Sequence, residues 1–359
     1  MFWKINPITN TSSSKRYLLL DAFRGIAILW IICFHVLKGL EYCTLVDFII
    51  RHGYLGVSIF FVISGYGIAA ALSRNISPLV FLWARIKRIY PVYWWHLLFA
   101  ALIIPAVSAI VSLLKSHPFS PDFFRYSFPE WLHIVALTKV FLAQDWRLNL
   151  AFLPLNGVIW YIAVIVQIYI VVTLCMSLKW RNTALFILFI ASIASVIPGI
   201  KVYIPYGLFM PYFPLVYIGM TIHEFLMHKQ PVPLMATIAL SIAVCFFSSY
   251  IDVQYIVASL VSGLIFLALY RFDDVLSRLP ALRSLSWIGG FSYSLYLMHV
   301  PLWPFVNMFI RNLVPIPDVI SGPLILVPGI ICLTYLWHLL FERRRWGQFK
   351  AGIIVWKQH

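Results

Sequence analysis

Long apolar segments separated by short polar connections occupy most of the chain. An α-helix needs about 20 mostly apolar residues to cross the hydrocarbon core of a bilayer, and ten segments approach or exceed that length. The pattern predicts an all-α fold, a polytopic integral membrane bundle of about ten transmembrane helices. The predicted spans are residues 17–38, 53–73, 91–114, 153–177, 182–199, 203–226, 232–250, 253–270, 286–308 and 320–341.

The composition agrees with a membrane protein. The 359 residues are 62% hydrophobic and 11% charged, whereas a soluble domain is about half apolar and about a quarter charged. The length leaves no room for a separate soluble catalytic domain. We expect a cytoplasmic N-terminal tail at residues 1–16, a transmembrane domain at 17–345 and a cytoplasmic C-terminal tail at 346–359.

The basic residues predict which helix ends face the cytoplasm. With both termini inside, 18 of the 27 Lys and Arg residues fall on the cytoplasmic side and eight on the outer side, as the positive-inside rule requires. This holds only if residues 131–146, which His133, Lys139 and Asp145 interrupt, do not cross. We expect them to be an outer amphipathic or re-entrant piece. The net charge of +15 follows from the same rule and from contact with anionic lipid, so no nucleic-acid partner is expected.

The five cysteines predict neither a disulfide nor a metal site. They show no CxxC and no metal-ligand spacing, and four of them lie in apolar segments. Basic residues precede the first apolar segment and no A-x-A-type cleavage site follows it, which predicts a retained signal-anchor.

Three ionisable side chains interrupt the first apolar segment, LLLDAFRGIAILWIICFHV. On a helix, Asp21, Arg24 and His35 fall within an arc of roughly 60°, with His35 about 16 Å beyond Arg24 along the axis. Such groups usually face a bundle interior or a wet cavity. Asp21 and Arg24 could simply neutralise each other at their i, i+3 spacing, but this leaves His35 unexplained, so we interpret the face as functional.

A second histidine lies at a similar predicted depth. His299 ends the motif SYSLYLMH, roughly 18 Å from the inner edge that we place at Trp287. Two histidines at one level favour a buried polar site over two separate packing residues.

Glycines and basic residues mark two further segments. GYLGVSIFFVISGYG, residues 53–67, has four glycines, which indicate close helix packing or a narrow passage. FLWARIKRIYP places Arg85, Lys87 and Arg88 at the cytoplasmic mouth of the third span, which we expect Pro91 to open. These charges either anchor the topology or bind an anionic ligand.

Together these segments resemble the membrane acyltransferase family 3. The resemblance rests on Arg24, ten residues and His35, on LDAFRGIA and GVSIFFVISGY, on the arginine-x-x-arginine of Arg85 and Arg88, and on SYSLYLMH ending at His299. It implies transfer of an acyl group, acetyl by default, from cytoplasmic acetyl-CoA to a hydroxyl of a polysaccharide or glycolipid outside the membrane. It also implies a multi-pass protein of the cell membrane, the inner membrane if the protein is bacterial.

The chain departs from the family pattern in two places. Trp160 to Tyr169 reads WYIAVIVQIY where many members have W-S-L-x-x-E-x-x-F-Y, so that Ile165 stands at the usual glutamate. Near the C-terminus, FERRRW keeps Glu342 and Arg343 but lacks the proline that follows in the family. These departures predict a subgroup with a different acceptor.

The chemistry assigns roles to the ionisable residues. A hydroxyl needs a positioned base to attack a thioester, and histidine has a suitable intrinsic pKa, so we assign His35 as the base. His299 could donate to the developing oxyanion, orient the acceptor or only pack. Arg24 could hold a polar part of the donor or stabilise charge in the channel.

The donor site is predicted from the cytoplasmic segments. Arg85, Lys87 and Arg88 would clamp the phosphates of acyl-CoA, because arginine makes bidentate phosphate contacts and lysine adds a point charge. Gly65 would let the pantetheine arm pass between helices.

The residue that orients His35 stays open. The candidates are Asn156, Gln167, Asp145 and Glu130, because no deep carboxylate lies near His35 in the sequence.

Two other classes of function compete with the enzyme. Membrane histidines and arginines are also typical of proton-coupled transporters and flippases, although no inverted repeat is visible. A receptor or scaffold that has lost its activity is the third hypothesis. Carboxylate pairs of the glycosidase type and the GxSxG, HExxH and P-loop motifs do not occur in the sequence.

Overall fold

The computed structural model describes residues 17–115, 127–138, 157–204, 207–313 and 317–343. These ranges are predominantly helical and contain no β-strand, which confirms the all-α prediction. The helices are α1 (Leu18–Leu37), α2 (Thr44–Arg51), α3 (Gly56–Leu72), α4 (Pro78–Lys115), α5 (Phe128–Val135), α6 (Trp160–Met176), α7 (Arg181–Ala194), α8 (Pro198–Lys201), α9 (Phe213–His228), α10 (Pro231–Cys245), α11 (Tyr250–Leu269), α12 (Asp273–Leu276), α13 (Pro280–Gly290), α14 (Ser292–Leu313), α15 (Asp318–Ser321) and α16 (Val327–Trp337). Shorter helical turns are the 3₁₀ turns Gly53–Leu55, Met210–Tyr212 and Tyr270–Phe272 and the π-helical turns Gly322–Leu326 and His338–Arg343.

Several of these helices suit a membrane. Within the described ranges, four helical segments are long and apolar enough to cross one. They are Leu18–Leu37, Thr44–Leu72, Tyr250–Leu276 and Asp318–Glu342. Each of the ten predicted spans contains at least part of a helix in the described portion of the chain. The number of crossings and the side on which the termini lie stay predictions.

Helix α4 is longer than the predicted third span. It begins at Pro78, so Pro91 lies inside the helix together with Pro105 and does not open it. Where the third span begins stays a prediction. Its 38 residues extend over roughly 57 Å, well beyond a hydrocarbon core of about 30 Å. Proline is tolerated inside membrane helices because neighbouring groups satisfy the freed carbonyls. Because α4 begins at Pro78, the basic sequence RIKRIY is part of the helix.

The predicted span at residues 286–308 consists of two helices. α13 ends at Gly290 and α14 begins at Ser292. Adjacent glycines weaken a helix, and a Cβ on Gly289 would lie 1.8 Å from the carbonyl oxygen of Asp21. Gly289, next to this break, therefore allows the backbones of α13 and α1 to approach closely.

The segment 131–146 is described only as far as residue 138. Its helix α5 has eight residues, about 12 Å, which is too short to cross a bilayer. Aromatic side chains of α4 donate hydrogen bonds to the carbonyl oxygens at its C-terminal end. The bonds run from Tyr93 to Ile134 at 2.6 Å, from Tyr90 to Ala136 at 3.0 Å and from Trp94 to Val135 at 3.2 Å.

Close packing divides the chain into two compact units, each assembled from three separate stretches of sequence. The first unit comprises Met1–Ala27, Leu55–Arg85 and Val164–Gly290, and the second comprises Ile28–Tyr54, Ile86–Ala163 and Phe291–His359. Because these stretches alternate along the chain, neither unit is a contiguous sequence domain.

In the first unit, α3 and α9 meet through two reciprocal glycine contacts. A Cβ on Gly65 would lie 1.8 Å from the carbonyl oxygen of Val216, and one on Gly219 would lie 1.9 Å from that of Val62. Only a hydrogen atom fits at either position. The interpretation of Gly65 as a residue of close helix packing is therefore confirmed.

A buried carboxylate of the first unit holds the start of α1. Asp273 is buried and accepts the backbone N–H of Leu19 at 2.8 Å and that of Leu18 at 3.3 Å. The first N–H groups of a helix lack partners within the helix, and a negative charge suits the positive end of the helix dipole. This contact fixes where α1 begins, three residues before Asp21.

In the second unit, most side chains in the first half of α14 are buried. This helix packs along α16, and aromatic rings of α4 meet rings of the last helical segment. Phe99 lies 5.0 Å from Trp337, and Trp95 lies 5.1 Å from Phe341, between ring centroids. The part of α14 that carries His299 is buried in this unit.

Two glycines of α3 predict opposite effects of the same substitution. Gly65→Ala should lower the free energy of unfolding by about 1–3 kcal/mol, because the methyl group overlaps the Val216 carbonyl. Gly67→Ala should be neutral or stabilise the protein by up to about 1 kcal/mol, because its Cβ would meet open space. Thermal unfolding of both variants in the same detergent measures the difference, and equal stabilities would contradict the glycine contact.

Candidate functional site

His35 of α1 and His299 of α14 lie side by side within the second unit. Their ring centroids are 5.2 Å apart and their planes are tilted by 51°. The side chain of His299 is completely buried, whereas that of His35 is partly exposed. The structure thus brings together two histidines that the sequence placed at a similar depth.

The hydrogen bond of His299 defines its tautomer. Its Nδ1 lies 3.0 Å from the carbonyl oxygen of Leu295, one turn earlier on α14. A carbonyl oxygen only accepts, so Nδ1 carries the proton and the neutral ring presents a lone pair at Nε2. This buried Nε2 has no partner among the described residues. In this tautomer His299 accepts a hydrogen bond and does not donate one to an oxyanion.

Aromatic rings surround the histidine pair. The ring of Phe34 lies 5.0 Å from that of His35, and the ring of Tyr296 lies 6.0 Å from that of His299. Tyr161 in turn lies 5.4 Å from Tyr296. Rings of this kind exclude water, and charges interact more strongly where water is excluded.

A third histidine of the second unit was not found from the sequence. His96 of α4 is completely buried, and its Nδ1 lies 3.5 Å from the sulfur of Met298. Its neighbour in the chain is the aromatic run YPVYWW, which gave no signal beyond packing. In the described ranges, no group of three or more His, Cys, Asp or Glu side chains could hold a metal ion.

The motif SYSLYLMH holds α14 to three other parts of the second unit. Three of its polar side chains each donate a hydrogen bond to a different segment. The bonds run from Tyr293 to the carbonyl of Ile89 at 2.9 Å, from Ser294 to the carboxylate of Glu342 at 2.5 Å and from Tyr296 to the carbonyl of Val158 at 2.5 Å. The motif therefore fixes both the position and the rotation of the helix that presents His299.

Arg24 forms the neutralising pair that its spacing allowed. Its Nη1 lies 2.7 Å from the Asp21 carboxylate, and Asp21 is buried. These two residues belong to the first unit and His35 to the second. Pairing explains how the charges are accommodated, and the predicted role of Arg24 toward the donor stays a prediction.

The basic residues of α4 differ in their surroundings. Arg85 donates to the carbonyl oxygen of Gly67 at 3.0 Å, and its guanidinium lies 5.2 Å from the ring centroids of both Phe81 and Tyr169. Lys87 and Arg88 are exposed. Arg85 is thus embedded in the first unit, while the other two side chains reach solvent on the second.

The candidates for an orienting residue of His35 have other partners or lie outside the described ranges. Gln167 donates to the carbonyl of Gly207 at 2.9 Å and accepts the N–H of Phe209 at 3.1 Å, so it closes a loop of the first unit. Glu130 caps α5 by accepting the N–H and hydroxyl of Ser127. Asp145 and Asn156 lie outside the described ranges.

Comparison with known proteins identifies the family. The profile of the acyltransferase 3 family, described as an acyltransferase domain, matches residues 17–343. A relative, "Protein 2 in picA locus" of Rhizobium radiobacter, is 35% identical over 89 residues, which are 23% of this chain and 42% of that protein. The match thus spans less than half the length of this relative, and no solved structure matches. Because the family profile covers nearly the whole chain, this protein belongs to the acyltransferase 3 family.

Proposed function

We propose that this protein is a membrane O-acyltransferase. It moves an acyl group, acetyl by default, from cytoplasmic acyl-CoA to a hydroxyl of a polysaccharide or glycolipid on the other side of the membrane. The observation that carries the proposal is the closeness of the partly exposed His35 ring to the ring of buried His299, whose Nε2 is a free acceptor among the described residues, in a chain of an acyltransferase family.

The proposed reaction uses His35 as the general base. Its imidazole removes the proton of the acceptor hydroxyl while the oxygen forms a bond to the thioester carbonyl carbon. The carbon–sulfur bond then breaks, and the imidazolium returns the proton to the departing thiolate of CoA. Histidine suits both proton transfers because it changes its charge near neutral pH.

His299 is the residue that we assign to orient His35. Nε2 of His299 is a lone-pair acceptor, and its ring centroid lies 5.2 Å from that of His35. An N–H of His35 that turns toward this nitrogen leaves the other nitrogen of His35 as the base. A base held in this way by a third group is the general arrangement for activating a hydroxyl nucleophile.

The donor is assigned to the basic segment of α4. Lys87 and Arg88 are exposed, which suits contact with the phosphates of acyl-CoA. Arg85 contributes cation–π contacts and a hydrogen bond to the first unit, so we assign it a structural role in addition to its predicted phosphate contact. Gly65 stays a prediction as a donor-binding residue, since helix packing already accounts for it.

The assignment of His35 is tested by transfer of radiolabelled acetyl from acetyl-CoA in proteoliposomes that contain a mixed polysaccharide and glycolipid pool. His35→Ala should lower the rate at least about 100-fold, because a general base contributes about 10²–10⁴-fold. His228→Ala, at the exposed end of α9, is the control and should stay within about twofold.

Three results would count against the proposal. They are an inactive wild-type protein, full activity of His35→Ala, and passage of the unlabelled acceptor across the membrane without acyl transfer. The last result would favour a transporter.

The packing role of Arg85 predicts that its substitution lowers stability even when no acyl-CoA is present. Arg85→Ala should lower the free energy of unfolding by about 1–3 kcal/mol, because it removes two cation–π contacts and a hydrogen bond. Lys87→Ala should change it by less than about 0.5 kcal/mol, as is usual for exposed side chains. Thermal unfolding without acyl-CoA separates them, and an unchanged Arg85→Ala would restrict Arg85 to ligand binding.

The phosphate contact predicts a change in donor affinity. Lys87→Glu and Arg88→Glu should each raise KM for acetyl-CoA about three- to tenfold with little change in kcat, because they remove binding common to ground and transition states. Arg278→Glu, another exposed basic residue, controls for the overall surface charge. An equal rise in KM for all three variants would indicate general electrostatic attraction in place of a site.

A further inference from the structure

One carboxylate oxygen of Glu342, in the last helical segment, accepts hydrogen bonds from two side chains. The hydroxyl of Ser294 donates to Oε2 of Glu342 at 2.5 Å. Nδ1 of His338 lies 2.5 Å from the same oxygen. Ser294 is completely buried and Glu342 is 7% exposed. A buried carboxylate is costly unless donors satisfy it, so this cluster is a stable arrangement only when both donors are in place.

The local backbone at this cluster is unusual. His338–Arg343 forms a π-helical turn that follows α16 directly. Such turns are rare and occur often at functional sites. His338 itself is stacked on Tyr335 with a centroid distance of 6.4 Å and lies 5.7 Å from the ring of Phe291. Its imidazole is therefore held in place to donate to Glu342.

The cluster does not have the arrangement of a serine hydrolase. In that chemistry a histidine accepts the serine proton and an acid orients the histidine. Here the acid bridges the two side chains, since both Ser294 and His338 point to Glu342. In the described ranges the Ser294 hydroxyl donates to this carboxylate and not to a histidine, so we interpret the cluster as one that positions its helix.

Ser294 is the neighbour in sequence of a residue that hydrogen-bonds His299, one of the two histidines of the proposed site. The next residue is Leu295, whose carbonyl oxygen accepts Nδ1–H of His299 at 3.0 Å. Because that bond uses Nδ1–H, the other ring nitrogen, Nε2, is left as the acceptor. Because Ser294 and Leu295 share one helical turn, an anchor on Ser294 also holds this carbonyl.

We propose that Glu342 is a positioning residue of the acyl-transfer site. It anchors Ser294, holds the first turn of α14 in register and thereby maintains the tautomer and orientation of His299 beside His35. Glu342 acts through Ser294 and does not touch the substrate. The inference rests on the proposed function, but its effect on the tautomer of His299 can be measured independently of activity.

The first experiment measures the tautomer of His299 and needs no activity. Imidazole ¹⁵N chemical shifts distinguish protonated from unprotonated nitrogens, and the signals of His299 are assigned by their loss in His299→Gln. The wild-type protein should show a protonated Nδ1 and a bare Nε2. Ser294→Ala and Glu342→Leu should show a mixture of tautomers or broadened signals, while the signals of His228 stay unchanged.

The second experiment uses the rates of acetyl transfer. Ser294→Ala and Glu342→Leu should lower kcat at least about tenfold with KM values within about twofold, since only the arrangement in the transition state is lost. Ser294→Thr and Glu342→Gln keep a hydroxyl and an oxygen acceptor and should restore kcat to within about threefold of wild type. Asp252→Ala removes an ion pair with Lys201 in the first unit and controls for a general loss of stability.

The outcomes separate the inference from the proposed function. An unchanged His299 tautomer in Ser294→Ala and Glu342→Leu overturns the inference, whether or not the protein transfers acetyl. A kcat that falls equally in Asp252→Ala, or that Ser294→Thr and Glu342→Gln do not restore, also overturns it. A wild-type protein without transferase activity but with the expected tautomer changes refutes the proposed function and leaves Glu342 as the residue that positions His299.

Discussion

The hydrogen bond from Nδ1 of His299 to the carbonyl of Leu295 is the interaction on which the site depends. An imidazole in a helix can bond through either nitrogen, and the choice decides whether the other one gives or takes a proton. With Nδ1 committed to the backbone, Nε2 is an acceptor in a completely buried side chain. His35, the more exposed of the two, then becomes the residue that exchanges protons with substrates in the proposed reaction.

The burial of the polar side chains of α14 restrains the position of this helix. Buried polar groups without access to water must complete their hydrogen bonds within the protein. The buried part of α14 meets this requirement with side chains that donate to three different segments. Each bond limits a different motion of the helix, so translation and rotation are restrained together. An equivalent helix in an aqueous protein could exchange any of these partners for solvent.

Local spacing predicted the parts of the fold and site that depend on one helix. The apolar segments indicated helices, the i, i+3 spacing indicated the Asp21–Arg24 pair, and depth counted along two helices placed His35 near His299. Contacts between distant segments were not predictable in this way. The hydrogen bond between Gln167 and Gly207 joins residues that are far apart in the sequence. The contact between Glu342 and Ser294 is of the same kind, and the sequence around either residue does not indicate it. Pro91 was expected to open a helix by the usual rule for proline, but it lies inside α4, as membrane helices tolerate.

The reciprocal glycine contact between α3 and α9 has a consequence for biosynthesis. Val216 follows Gly65 much later in the chain, so α3 is synthesised long before its partner exists. α3 is apolar around its whole circumference and most of its residues are buried in the finished unit. Lipid tails are as apolar as leucine side chains, so they can solvate α3 while it waits. The contact between α3 and α9 therefore forms only after α9 has been synthesised, and until then lipid or another part of the chain must cover α3.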